Sequence, residues 1–113
     1  MAKTPLPPLP VQPASLPELQ QYQADICKAR GWDKATTLET FLLFSEEFGE
    51  LAKAIRNRLA LYQEKGKAPQ SEELEGEFAD VFSYLMELAN HFNLDLESAY
   101  RAKELKNAQR DWD

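Results

Sequence analysis

One cysteine, Cys27, and one histidine, His91, remove most of the familiar catalytic sets from this chain at the outset. A lone cysteine forms no intrachain disulfide, which fits a reducing compartment. With no second Cys or His at ligand spacing it does not build a zinc site. A single histidine near no obvious nucleophile leaves no Ser-His-Asp or Cys-His constellation. The di-iron carboxylate bundles need Glu-x-x-His on two helices, and the residue three before His91 is Leu88. His91 therefore reads as a capping or surface group at a helix end. Glycine is equally scarce, at four residues, and none is arranged as a phosphate-cradling loop. A long apolar run is missing too. The opening MAKTPLPPLPVQPASLP is broken by prolines and has no h-region, so it is neither a signal peptide nor a membrane anchor, and a cytoplasmic protein is expected. Finally, there is no excess of positive charge. A net charge of −6 argues against a nucleic-acid polymer as partner, because gripping a phosphate backbone takes a basic surface. An acidic chain still binds an anionic substrate when metal ions stand between the two.

What the chain does contain is helix-forming sequence. Its 113 residues suit one domain, and a core this small leaves room for help from a partner subunit. Five of the seven prolines fall between Pro5 and Pro13, so residues 1–14 are expected to be a flexible proline-rich tail. PLPPLP also fits a PxxP ligand, although composition favours a plain leader. Residues 15–113 form the expected all-α domain. Ser15 with Glu18 has capping-box spacing, Pro17 suits a first turn, and Gly31 is a natural stop, which predicts a helix ending at about Arg30. Its apolar positions Leu16, Leu19, Tyr22 and Ile26 recur at helical spacing. Thr36 with Glu39 opens a second helix, to about Leu59. After a loop carrying Gly66 and Pro69, Ser71 with Glu72 and Glu73 starts a third, to about His91. A fourth runs from about Asp95 to Arg110. Four helices with short links predict a four-helix bundle-type fold.

The second helix contains FSEEFGELAKAI, in which three acids interrupt an apolar stripe. At about 100° per residue, Phe48, Leu51 and Ile55 fall within roughly 40° of Phe44 and define the stripe expected to be buried. Glu47 falls about 60° to one side and Glu50 about 120° to the same side, one turn apart, with Glu46 further toward solvent. In the third helix, Leu74, Val81, Phe82, Leu85 and Ala89 cluster around Phe78, with Glu77 and Asp80 displaced to one side of that seam by about 100° and 160°. Each helix thus carries an i, i+3 acid pair beside its seam. Four clustered carboxylates repel one another, and burying them unpaired costs several kcal/mol or raises their pKa values. A hard divalent cation such as Mg²⁺ resolves that conflict through oxygen ligands. On spacing alone, a solvated acidic face remains equally open.

EEFGE, Glu46 to Glu50, followed after 26 intervening residues by EFAD, Glu77 to Asp80, resembles the EExxE…ExxD signature of the MazG-like all-α nucleoside triphosphate pyrophosphohydrolases. The resemblance extends from about Leu16 to Trp112 and includes DVFSYLMELAN and LDLESAYRAK. It implies Mg²⁺-dependent hydrolysis of a nucleoside triphosphate to the monophosphate and pyrophosphate, with Mn²⁺ as a substitute. Carried over by position, it implies Glu47, Glu50, Glu77 and Asp80 as metal ligands. The water-activating base then falls to Glu46, to Glu47 or to a hydroxide on the metal. KELKNAQR resembles the Lys-x-x-x-Asn-x-x-Arg ending common in that family, which makes Lys103, Asn107 and Arg110 phosphate contacts unless the last helix is basic only to suit its dipole. Lys53, one turn after Glu50, is a further candidate or that acid's partner. Trp32, in GWDKATT, offers a flat surface for a nucleobase or else a structural lid. Members of the family usually assemble as homodimers or homotetramers, and the aromatics Phe41, Phe44, Phe48, Phe78, Phe82 and Tyr84 are compatible with a helical interface.

The expected function is clean-up or balancing of the dNTP pool. The same fold also serves phosphoribosyl-ATP pyrophosphohydrolase and dUTPase-like activities. A non-catalytic helical partner-binding module that keeps the acidic face is the alternative outside enzymology.

Overall fold

A computed structural model describes residues 5–66 and 74–112. Among these, all regular structure is helical: α1, Leu16–Arg30; α2, Thr37–Arg58; α3, Leu74–His91; and α4, Leu96–Ala108. The expected all-α class is therefore what forms. The expected N-terminal signal of the third helix, Ser71 to Glu73, lies outside the described residues. Residues 5–14 of the proline-rich segment carry no helix or strand, and Leu6, Leu9 and Val11 there are exposed.

The capping residues place the helix ends. Ser15 accepts from the Glu18 backbone N–H and Glu18 accepts from the Ser15 N–H, so two otherwise orphaned donors are satisfied together. Thr36 and Glu39 repeat the arrangement at the start of α2. At the start of α4, Asp95 accepts from the Glu97 and Ser98 N–H groups. α1 stops at Gly31, whose φ of 75° places it in the left-handed region that a side chain resists. Gly31 N–H donates to Lys28 O and Trp32 N–H to Cys27 O, closing a Schellman-type end.

The chain forms two compact units, one from Met1–Ala35 with Met86–Asp113 and one from Thr36–Leu85. The first has the denser core. Ile26 and Cys27 of α1 and Met86 and Ala89 of α3 are buried there. Gln20, also buried, is fully engaged. Its side-chain amide donates to Asn90 Oδ1 and Leu94 O, its amide oxygen accepts from Leu96 N–H, and its backbone oxygen accepts from Asn90 Nδ2. A buried amide is tolerated because every polar atom finds a partner.

The second unit buries much less. Thr40 and Ala54 are its buried residues on α2, whereas the stripe expected there is largely open. Phe44 and Leu51 are half-buried, but Phe48 is 55% exposed and Ile55 is 38% exposed. On α3, Phe78 is 54% exposed, and Phe82 and Leu85 are also exposed. The periodicity located an apolar face, but that face is largely exposed rather than the buried stripe expected.

Candidate metal centre

Within the second unit, α2 and the first turns of α3 bring Glu47, Glu77 and Asp80 together, with one carboxylate oxygen of each within 4.8 Å of the others. Glu47 and Glu77 are half-buried and Asp80 is exposed. The i, i+3 spacing of Glu77 and Asp80 puts both on one side of α3, where Glu47 meets them from α2. Burial raises the Glu47 carboxyl above its usual value of 4.5, and the negative charges of Asp80, Glu77, Glu46 and Glu50 raise it further, in that order.

The oxygen-only donor set suits a hard divalent cation, since such ions take a few carboxylates and complete their shell with water or phosphate oxygen. Three converging carboxylates repel one another, and their charges add to the effect of burial in raising Glu47. The residues present therefore fit Mg²⁺ or Mn²⁺. Glu50, which the resemblance also counts as a ligand, stands exposed one turn beyond Glu47 and outside the converging trio, although its charge is felt there. Glu46 is exposed beside Glu47.

The other candidates lie elsewhere in the chain. Lys53 is exposed on α2, in the same unit as the acids. Trp32, Lys103, Asn107 and Arg110 belong to the first unit. Trp32 is 58% exposed and carries the Arg30 guanidinium 4.9 Å from its ring centroid. Lys103 is exposed on α4. Arg110 lies over the Trp112 ring at 4.4 Å, and the Trp112 indole N–H donates to the Asn107 backbone oxygen at 2.8 Å. The Asn107 side-chain oxygen is buried without a hydrogen-bond partner.

Two features of the first unit escaped the sequence reading. Cys27 sits beside Glu87, the Gln23 side-chain amide donates to its sulfur at 3.3 Å, and burial first and the Glu87 charge second push its thiol upward. Burial likewise raises Glu87, partly offset by His91 and by the Cys27 contact. The i, i+4 spacing of Glu87 and His91 was the available signal, but nothing in the sequence brings Cys27 to them. Burial thus favours the protonated, less nucleophilic form of this thiol.

No family model matches the chain, and comparisons with curated proteins and with solved structures find no match.

Proposed function

We propose that this chain is a Mg²⁺-dependent nucleoside triphosphate pyrophosphohydrolase that converts (d)NTP to (d)NMP and pyrophosphate and keeps the nucleotide pool clean. The observation that carries this reading is the meeting of Glu47, Glu77 and Asp80 from two helices within 4.8 Å. The EExxE…ExxD order of the acids supports it. When bound, the cation supplies charge neutralisation for the triphosphate and Lewis acidity for the attack of water at the α-phosphorus.

The protein's own residues divide the remaining tasks. Glu47, Glu77 and Asp80 hold the cation, and Glu50 enlarges the acidic face one turn along α2. A cation beside Glu47 lowers its basicity, so proton removal from the attacking water is assigned to the neighbouring exposed Glu46. Lys53, on α2 of the same unit, is assigned to phosphate oxygens, where its positive charge offsets charge growing on the departing pyrophosphate.

The open apolar face of the second unit supports a homodimer or homotetramer as the working form. Phe41 and Phe48 on α2, both 55% exposed, and Phe78 on α3 present more apolar surface than a stable monomer usually leaves open. A second copy of the chain is the proposed cover.

Incubation with Mg²⁺ and a panel of NTPs, dNTPs, dUTP and phosphoribosyl-ATP tests the activity. Pyrophosphate release that is lost in Glu77→Gln is the expected result, and the preferred substrate selects among the related activities of the fold. A protein that binds Mg²⁺ and cleaves none of these is a non-catalytic module.

A further inference from the structure

We propose that the outer face of α4 docks against α4 of a second copy, antiparallel, about a two-fold axis passing between Ala102 and Lys103. This is a separate contact from the α2 face, and it stands whether or not the chain cleaves nucleotides.

α4 buries no residue of its own, and it leaves Tyr100 70% and Leu105 68% exposed. At about 100° per residue, six side chains from Glu97 to Ala108 fall on one face of it. Glu97 and Ala108 run along the middle, Arg101 and Glu104 stand about 30° to either side, and Tyr100 and Leu105 form the two edges. The half-buried Leu96 and Asn107 lie about 100° round the helix, so this face is turned away from the side on which α4 is covered. The six residues line an open hollow of about 630 Å³ with mostly apolar walls. The stems of Glu97, Arg101 and Glu104 supply part of that apolar surface.

The order of the charges names the occupant. Turning the face over about this axis brings each residue level with the one equally far from the midpoint. Arg101 then meets the partner's Glu104, and Glu104 meets the partner's Arg101, so two opposite-charge pairs form at the centre. A two-fold also joins like edge to like edge, which sets Tyr100 beside the partner's Tyr100 and Leu105 beside the partner's Leu105. Midpoints at Arg101 or at Glu104 would oppose like charges, so the pattern selects one register. Within one copy, Arg101 Nε lies 3.1 Å from Glu97 Oε2, which holds the guanidinium on this face. The Arg101 side chain is still 74% exposed, with further N–H donors for a second carboxylate. A face about 20 Å long buries less than the roughly 800 Å² per partner of a standard interface, so the contact is a weak one.

Sedimentation equilibrium at high concentration in a Phe48→Glu background, where the α2 face is charged, isolates the contact. Self-association of this parent is expected. Arg101→Glu and Glu104→Arg should each weaken it about tenfold, because each sets like charges together twice. An equimolar mixture of the two variants should recover it, since both central pairs of the mixed dimer are again opposite in sign. Both positions are exposed, and helical circular dichroism should be unchanged. A parent that stays monomeric overturns the proposal. Variants that associate as the parent does, or a mixture that does not recover, overturn it as well. Should Phe48→Glu leave the wild-type assembly intact while the charge exchange holds, α4 keeps its role and the α2 face loses its own.

Discussion

Glu47 is the residue whose chemistry is most altered by its neighbours. Its carboxyl titrates above the ordinary value of 4.5 in the folded chain, so the folded state holds a proton more tightly than the unfolded state does. The stability this proton contributes is present below pH 4.5 and is lost as pH rises through the raised value. Glu47→Gln should therefore raise the metal-free melting temperature at neutral pH, with the gain shrinking as the solution is acidified below 4.5. A divalent cation should act in the same direction by binding the folded state. Mg²⁺ or Mn²⁺ should raise the Tm of the wild-type chain and do little for Asp80→Asn. Equal rises in both proteins would mark a general ion effect instead of a site. Calorimetric scans with and without the metal, across pH, decide both points.

At the scale of the helix, the ends are where local chemistry governs. Thr36 and Glu39 satisfy each other's backbone N–H groups at the start of α2, so Thr36→Ala should cost about 1 kcal/mol. Urea titration should show this as a lower midpoint at an unchanged slope, and a midpoint that does not move would deny the cap its role. These same ends were the most legible part of the chain. Ser15, Gly31, Thr36 and Asp95 signal their helices through hydrogen bonds that span only two to four residues, and the sequence contains every partner. The acid trio was half legible. Spacing puts Glu77 and Asp80 on one side of α3 and Glu47 beside the α2 seam, but which acids meet depends on how two helices pack. For that reason the resemblance counts Glu50 beside Glu47 as a ligand, whereas only Glu47 joins the converging trio. The apolar stripe was legible as a face and not as a core. Periodicity shows that Phe44, Phe48 and Ile55 share one side of a helix and cannot show what covers them. The Cys27–Glu87 neighbourhood was illegible, since it joins residues sixty positions apart through tertiary packing alone.

At the scale of the whole molecule, the two units differ in how many residues they bury, and both leave large apolar side chains exposed. The first surrounds Ile26, Cys27, Met86 and Ala89, while the second leaves Phe41, Phe48 and Phe78 more than half exposed. Stable association between copies requires roughly 800 Å² of surface from each partner, and a helical face carrying several large aromatics is of that order. Sedimentation equilibrium should therefore find a homodimer or homotetramer at micromolar concentration. Phe48→Glu should shift it toward monomer while α1 and its hydrogen-bonded partners keep their circular dichroism. A wild-type chain that sediments as a monomer at every concentration would remove the second copy as the cover for this face.

The engagement of Gln20 sets an order of events during synthesis. Its side chain needs Asn90, Leu94 and Leu96, which follow it by 70 to 76 residues. The second unit, by contrast, is one continuous stretch, Thr36–Leu85. As the chain leaves the ribosome, α1 must wait with its Gln20 amide unpartnered until Leu96 has emerged. The exposed phenylalanines of the second unit are already outside by then. During that interval the apolar face of α2 is the most available sticky surface on the nascent chain. Neighbouring nascent copies on one message would be well placed to cover it.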